Sequence, residues 1–160
     1  GPLRAEMEAR VRAAGQSKRV HFLGAQPHAQ AYRCLAACDI YVSVNLFGNI
    51  SNANLEALAA GACLVLPTSD PSIPLDTVTD RLIPLDAACR YDRDALPRSL
   101  ADALGELLAR PSEIARRREA SRALARQLIR PWSVAVGEDA AQIKSFAAAN
   151  RALAAGRRAN

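Results

Sequence analysis

Residues 39–67 read DIYVSVNLFGNISNANLEALAAGACLVLP, and this stretch decides the fold. It begins with DIYVSV, residues 39–44, an almost uninterrupted apolar run that predicts a buried strand. A loop with glycine and asparagine follows, and NANLEALAAG then predicts a helix from about Asn52 to Gly61. CLVLP, residues 63–67, predicts a further buried strand that ends at a proline. Two buried strands joined by a helix predict a parallel pair with a right-handed crossover.

The same alternation extends toward the amino terminus. Residues 3–15 predict a helix with an apolar stripe, and Gly15 marks its end. VHFLG, residues 20–24, predicts a short strand, and residues 28–37 predict another helix. Because the strands are apolar on both faces and alternate with helices, we expect an α/β fold: a Rossmann-like parallel sheet with helices on both faces.

The carboxyl-terminal part of the chain is predicted to be mostly helical. Residues 68–94 are irregular, although RLIPLD, residues 81–86, predicts a short fourth strand. Helices are expected at 97–109, 112–129 and from Pro131 to about Phe146. The first of them places four leucines on one face: Leu100, Leu104, Leu107 and Leu108. We therefore expect one domain over residues 1–147, helical from about residue 95, and a flexible tail over residues 148–160.

The composition is typical of a globular chain without a membrane span. Half of the 160 residues are hydrophobic and 23% are charged, and no apolar run approaches the roughly 20 residues of a transmembrane helix. Because no signal peptide pattern is present, we expect a cytoplasmic protein, with peripheral contact at the inner membrane face as an option. The net charge of +5 favours anionic partners, although the base composition of the genome is an alternative explanation.

The cysteines and histidines do not have the spacing of a metal site. The four cysteines are Cys34, Cys38, Cys63 and Cys89. They fit neither a disulfide framework nor a zinc site, so we expect reduced core thiols and no metal. His21, inside a predicted strand, is expected to be a core or edge residue, and His28 is expected to cap a helix start locally.

The loop before the helix at Asn52 has the chemistry of a phosphate site. Ligands of an open parallel sheet lie beyond the carboxyl ends of its strands. A helix start in that place offers free backbone N–H groups and the positive end of the helix dipole, which suit a pyrophosphate. Gly48 would let a ligand approach the backbone closely. The short polar side chains that could either cap the helix or contact the ligand are Asn49, Ser51, Asn52 and Asn54.

Glu56 lies near the start of the same helix. Its carboxylate could accept hydrogen bonds from vicinal hydroxyls such as those of a ribose. The alternative is that Glu56 only caps or solvates the helix start, where a negative charge suits the dipole. Periodicity alone leaves both interpretations open.

The segment LEALAAGACLVLP, residues 55–67, resembles the donor-binding segment of glycosyltransferase family 4, the GT-B glycosyl transferases of group 1. That family typically has two glutamates separated by seven residues, then a small-residue helix, a glycine and an apolar strand. Glu56 falls on the second glutamate, and the resemblance implies that it binds the ribose hydroxyls of the nucleotide. Gly48 falls on the first, so the chain departs from the family there, although FGNISNAN is similar to an asparagine-rich variant of this loop.

Flanking segments extend the resemblance to about Phe146. GPLRAEMEA and RVHFLGAQPHAQAYRCLAACDIYVSV are similar to the parts of the family's carboxyl-terminal domain that precede the donor segment, and PWSVAV is similar to its tryptophan-containing helix. The resemblance implies that the loop at Gly24, Ala25 and Gln26 lies near the nucleotide base. The expected donor-binding residues are Glu56, Gly48, Asn49, Ser51, Asn52, Ala53, Asn54, Gly24 and Ala25.

The resemblance implies the donor-binding part of a retaining glycosyltransferase of hexosyltransferase type. Such an enzyme transfers a sugar from a nucleotide-sugar to an acceptor, here an unknown sugar, lipid or other small molecule, without a metal or cofactor. Family members also carry an amino-terminal Rossmann domain, and this chain begins with glycine. We therefore expect a fragment that is inactive on its own, and no catalytic residue is assigned within it.

Two other functions stay open from the sequence. One is a different GT-B enzyme, such as a sugar-nucleotide epimerase. The other is a non-catalytic anion-binding module on the arginine-rich helix, although no nucleic-acid-binding motif accompanies it and nucleic acid is not expected as a partner. The arginines of that helix and its end are Arg116, Arg117, Arg118, Arg122, Arg126 and Arg130.

Overall fold

The computed structural model describes residues 1–45, 50–70, 72, 82–130 and 132–158. Its helices are α1 (Arg4–Ala13), α2 (His28–Ala37), α3 (Asn52–Ala59), α4 (Arg98–Leu108), α5 (Pro111–Leu128) and α6 (Trp132–Arg158). Its strands are β1 (Ile40–Val42), β2 (Cys63–Pro67) and β3 (Ala88–Tyr91), and a short 3-10 helix spans Arg93–Ala95.

The three strands form one parallel sheet in the order β1-β2-β3. The central strand β2 is almost entirely buried, and its side chains alternate between two layers. Leu64 and Leu66 pack in a cluster with residues of α3 and α5, whereas Cys63 and Val65 pack with residues of α4. Because helices cover both faces of the sheet, the predicted Rossmann-like α/β fold is confirmed.

Helix α3 ends in a left-handed glycine turn that leads into β2. The N–H of Gly61 donates to the carbonyl of Leu58 at 3.0 Å, and the N–H of Ala62 donates to Ala57 at 3.1 Å. Gly61 has φ +72°, a conformation that glycine adopts without a Cβ penalty. This pattern reverses the chain tightly, so that the predicted helix and strand follow each other within three residues.

Helix α5 crosses the amino ends of the strands. Arg118 donates to the carbonyl of Gly61 at 3.1 Å and to the carboxylate of Asp39 at 2.5 Å, so it joins the starts of β1 and β2. Ser121 donates to the carbonyl of Ala87, just before β3, at 3.4 Å. The opposite edge, where the strands end, is therefore the edge that stays available for a ligand.

The predicted strand at residues 20–24 is wrong. These residues have no strand structure and are mostly exposed, because within the described residues β1 pairs only with β2 and offers this segment no ladder. Local and side-chain contacts replace the ladder: the N–H of Val20 donates to Gln16, and Arg4 donates to the carbonyl of Phe22 at 3.0 Å.

The predicted fourth strand is also displaced. Residues 82–86 are not a strand, because the chain turns at Pro84, whose carbonyl accepts from the N–H groups of both Ala87 and Ala88. The strand lies at Ala88–Tyr91 instead, where Arg90 interrupts the apolar pattern that would have predicted it. Ile83 is nevertheless fully buried and contributes to the core as a single side chain.

The predicted inner face of helix α4 is correct for three of its four leucines, and the predicted end of helix α6 is wrong. In α4, Leu107 is buried and Leu100 and Leu104 pack against the core, but Leu108 is exposed, so its predicted place on the inner face is wrong. Helix α6 does not end near Phe146, as predicted, but continues to Arg158, whereas the flexibility expected for residues 148–160 stays a prediction. The alanine-rich sequence of that segment has high helix propensity. No helix in the described part of the chain is both long and apolar enough to cross a membrane.

Candidate functional site

The carboxyl edge of the sheet is held together by buried hydrogen bonds. The Tyr91 hydroxyl, at the end of β3, donates to the carbonyl of Ser43 at 2.9 Å. The N–H of Ser43 donates to Val65 of β2 at 3.0 Å, and the N–H of Thr68 donates to Tyr91 at 2.8 Å. These bonds hold Ser43, which follows β1, close to β2 and to the end of β3.

Helix α3 begins at this edge with a capped amino terminus. Ser51 is the N-cap residue, and its hydroxyl accepts from the N–H of Asn54 at 3.2 Å. Asn52 and Ala53, in the first turn, are exposed. First-turn amides have no partner within a helix, so the N–H groups of Asn52 and Ala53 belong to the set that a ligand can use.

Asn54 points into the protein rather than toward solvent. Its side chain is buried, and its Oδ1 accepts from the Tyr41 hydroxyl at 3.1 Å. This contact ties the first turn of α3 to β1. The predicted donor contact of Asn54 stays a prediction, but its burial favours the alternative of a structural residue.

Glu56 contacts the start of helix α2. Its Oε1 lies 3.2 Å from Nε2 of His28, and about a third (33%) of the Glu56 side chain is exposed. Burial raises the pKa of the nearby Tyr41 hydroxyl, and the negative charge of Glu56 acts in the same direction. The carboxylate of Glu56 thus lies between β1 and the beginning of α2.

The loop at residues 24–26 leads directly into that contact. Gly24 has φ +70°, and Gln26 closes the loop by donating to the carbonyl of Leu23 at 2.5 Å. Ala25 is exposed. Pro27 then precedes His28, the first residue of α2, so the loop is two residues away from the partner of Glu56.

A cavity of about 640 Å³ adjoins this loop. Its lining comes from the start of α1 and from the segment before the loop: Gly1, Pro2, Leu3, Arg4, Met7, His21, Phe22, Leu23 and Gly24. Apolar side chains with a few polar groups are typical of ligand pockets. His21 was predicted to be a core or edge residue of a strand, and this is wrong, because His21 is exposed, lies outside any strand and lines this cavity.

The structure brings some of the predicted residues together and leaves others undescribed. The cap and first turns of α3 contain four of them: Ser51, Asn52, Ala53 and Glu56. The loop at Gly24 lies near this group, because His28, two residues after the loop, contacts Glu56. Gly48 and Asn49 lie outside the described residues.

The sequence-based prediction missed the role of His28. No side-chain hydrogen bond caps the start of α2, so the predicted local cap is wrong, and the ring contacts Glu56 instead. The two residues are 28 positions apart, and only the packing of α2 beside α3 reveals the contact. The nearest signal in the sequence was the place of His28 just after the loop predicted to bind the base.

Three of the four cysteines, Cys38, Cys63 and Cys89, pack with the core. All four are free thiols, and Cys63 is fully buried. Burial raises the pKa of the Cys63 thiol to about 11, so the thiol is protonated and unreactive near neutral pH. In the parts of the chain that the structure describes, no three His, Cys, Asp or Glu side chains converge as metal ligands would.

The six arginines of the arginine-rich helix and its end form ion pairs with acidic side chains. Arg116 and Arg117 pair with Glu113, Arg118 pairs with Asp39, and Arg130 pairs with Glu138. Arg122 and Arg126 both pair with Glu119. Four carboxylates thus face six arginines, so two positive charges of this set stay uncompensated, and the anion-binding module stays an untested alternative.

Comparisons with known proteins bear on the family and on the fold. The family described as glycosyl transferases group 1 matches residues 1–110. No curated protein matches the chain. A solved structure of sucrose-phosphate synthase from Thermosynechococcus elongatus superposes with a TM-score of 0.72 and 20% identity, over 92% of this chain and 35% of that one. At this identity the likeness establishes the fold, and the chain spans about a third of the synthase's length.

The family match covers the parts of the molecule that form the candidate site. Residues 1–110 include the loop at Gly24, the capped start of α3, Glu56 with its partner His28, and all three strands. The match extends over well over half of the 160 residues, and the fold agrees with a Rossmann-like half of the GT-B architecture. The chain belongs to the glycosyl transferases group 1 family.

Proposed function

We propose that this chain is the donor-binding part of a retaining glycosyltransferase, which transfers a sugar from a nucleotide-sugar to an acceptor. The observation that carries the proposal is the contact between His28 and Glu56. It joins the loop expected to bind the base to the acid expected to bind the ribose. Base and ribose are adjacent in any nucleotide, so a nucleotide site requires these two elements to be neighbours.

The proposed donor lies along the carboxyl edge of the sheet. Its diphosphate rests on the amides of Asn52 and Ala53, where the dipole of α3 also favours negative charge. Its ribose hydroxyls donate to Glu56. The cavity beside Gly24 supports a place for the base, because the four Cα–Cα steps from Gly24 to His28 span at most about 14 Å.

The proposed chemistry needs no cofactor and no metal. The bond between the anomeric carbon and the diphosphate oxygen breaks, and a new bond forms between that carbon and an acceptor hydroxyl on the same face of the sugar. The nucleoside diphosphate is the leaving group, and its departing oxygen takes up the proton of the acceptor hydroxyl. Amides and the helix dipole at α3 stabilise the charge that develops on the diphosphate.

The proposed setting follows from the family rather than from the site. We propose a cytoplasmic enzyme with an acceptor that is a sugar, a lipid or another small molecule, and with peripheral membrane contact if the acceptor is a lipid. We propose no nucleic acid partner, because no nucleic-acid-binding motif accompanies the arginines of α5.

The test of donor binding is calorimetric titration of the full-length protein with ADP, GDP, UDP and dTDP. Glu56→Ala should weaken binding of the preferred diphosphate by about 1.5–3 kcal/mol, because a hydrogen bond to a charged group is lost. Glu106→Ala is the matched control, since Glu106 is exposed on α4, away from the candidate site, and pairs with Arg110. Equal affinities of the wild type and Glu56→Ala would refute the ribose contact.

The test of the reaction uses nucleotide-sugars of the preferred base together with sugar and lipid acceptors. Release of the nucleoside diphosphate and NMR of the product's anomeric carbon should show transfer with retention. A product of inverted configuration would contradict the retaining mechanism. An epimerised sugar without transfer would indicate the alternative enzyme class.

A further inference from the structure

The contact between His28 and Glu56 is not explained by stability. The His28 side chain is 77% exposed, and a pair this exposed contributes little to folding because water screens it. Within the described residues it is also the one side-chain hydrogen bond that joins α2 to α3. The contact therefore affects the orientation of the Glu56 carboxylate more than the stability of the fold.

The contact occupies one of the two carboxylate oxygens of Glu56. His28 Nε2 lies 3.2 Å from Oε1, and Oε2 has no hydrogen-bond partner among the described residues. A glutamate side chain loses rotamer freedom when it is held in place, which costs free energy on ligand binding unless the loss has already occurred. His28 removes that freedom before any ligand arrives.

We propose that His28 is a positioning residue: its imidazole holds Oε1 of Glu56 so that Oε2 faces the ribose hydroxyls of a nucleoside diphosphate. This inference rests on the proposed function, since it assumes that Glu56 accepts from the ribose. It assigns His28 no contact with the transferred sugar or with the reacting atoms. In this proposal His28 preorganises the Glu56 carboxylate, which requires only a hydrogen-bond donor at the position of Nε2.

The experiment measures how strongly the full-length protein prefers ribose. Calorimetry compares the preferred diphosphate among ADP, GDP and UDP with its 2′-deoxy and 3′-deoxy forms. Four variants are compared with the wild type: His28→Ala, His28→Gln, Glu56→Ala and Gln30→Ala. Gln30 is exposed in the first turn of α2 and is the control for altering that helix.

His28→Ala should weaken binding of the ribose form by about 3- to 10-fold and leave the deoxy forms nearly unchanged. His28→Gln keeps a side-chain N–H donor at a similar reach and should retain most of the preference for ribose. Gln30→Ala should match the wild type. A purely structural role of His28 would weaken all ligands alike, and an identical thermal unfolding midpoint checks that the variant is folded.

The results separate this inference from the one on which it rests. If Glu56→Ala abolishes the preference for ribose but His28→Ala keeps it, the positioning role is overturned and the ribose contact stands. If His28→Ala weakens ribose and deoxy forms equally, the positioning role is also overturned. A wild type that binds none of the diphosphates, or a Glu56→Ala variant that keeps the preference, overturns both.

Discussion

At the scale of the residue, helix α3 uses two side chains two positions apart in opposite ways. Asn54 points inward and accepts from Tyr41, whereas Glu56 points toward α2 and contacts His28. Each residue of an α-helix is rotated by about 100° from the one before it, so residues two apart point to nearly opposite sides. Asn54 therefore connects α3 to the sheet, and Glu56 stays accessible for a ligand.

The inward role of Asn54 predicts a cost in stability. Asn54→Ala leaves the half-buried Tyr41 hydroxyl without its acceptor and should lower the free energy of unfolding by about 1–2 kcal/mol. Urea denaturation followed by circular dichroism measures the change. Asn52→Ala, at an exposed position of the same turn, should shift the midpoint much less. Equal midpoints for the two variants would contradict the structural role of Asn54.

At the scale of the element, helix α3 has well-defined signals at both ends. The Ser51 hydroxyl satisfies an amide at its start, and the left-handed turn at Gly61 satisfies two carbonyls at its end. A side chain at Gly61 would also come within 2.7 Å of the Arg122 side chain. The helix is thus bounded by local hydrogen bonds, and its length sets the distance between the donor edge and the amino ends of the strands.

The turn at Gly61 predicts opposite effects for the same substitution at two glycines. Gly61→Ala should destabilise the protein by about 1–2 kcal/mol, because alanine is strained at positive φ. Gly105→Ala should stabilise it by about 0.5–1 kcal/mol, because Gly105 is an exposed position within helix α4 with open space around it. Thermal unfolding of both variants checks the signs. A Gly61→Ala variant as stable as the wild type would rule out the strain.

At the scale of the whole molecule, helix α5 connects elements from all parts of the sheet. Besides the contacts of Arg118 and Ser121, Arg117 donates to the carbonyl of Leu85 at 2.6 Å and to Glu113 at 2.8 Å. A hydrogen bond from Arg116, together with the charges of Arg117 and Arg116, lowers the pKa of Glu113 from 4.5 to about 2. The Glu113 carboxylate thus holds both Arg116 and Arg117, and Arg117 also bonds to Leu85 in the loop before β3.

The lowered pKa of Glu113 predicts a dependence of stability on pH. Because the pKa is lower in the folded than in the unfolded state, the ionised carboxylate stabilises the fold above pH 4.5, and this contribution is lost as the pH falls toward 2. Glu113→Gln should therefore be less stable than the wild type at pH 6, and the difference should shrink between pH 4.5 and 2. Urea midpoints at pH 6, 4 and 3 measure it. A difference that is independent of pH would contradict the assignment.

The elements that the sequence predicted well are those whose signals are local. Helix α3 and strand β2 lie close to the predicted positions, because the Ser51 cap, the Gly61 turn and the apolar run of β2 act within a few residues. Helix α2 also lies at its predicted position, although no side-chain hydrogen bond caps its start. The α/β order of residues 39–67 followed from the same signals. The identity of Glu56 as a candidate ligand residue depended on the family resemblance, since periodicity alone left a structural alternative open.

The tertiary structure decided which segments pair and which side chains meet. The run VHFLG at residues 20–24 is more apolar than the strand at residues 88–91, yet only the latter has a neighbouring strand among the described residues. His28 and Glu56 meet across 28 positions, and Arg118 meets Asp39 across 79. The ends of helix α3 are determined by hydrogen bonds between residues close in sequence, so the sequence around Ser51 and Gly61 could predict them. Strand pairing and contacts between elements depend on residues that are distant along the chain, so only the folded packing determines them.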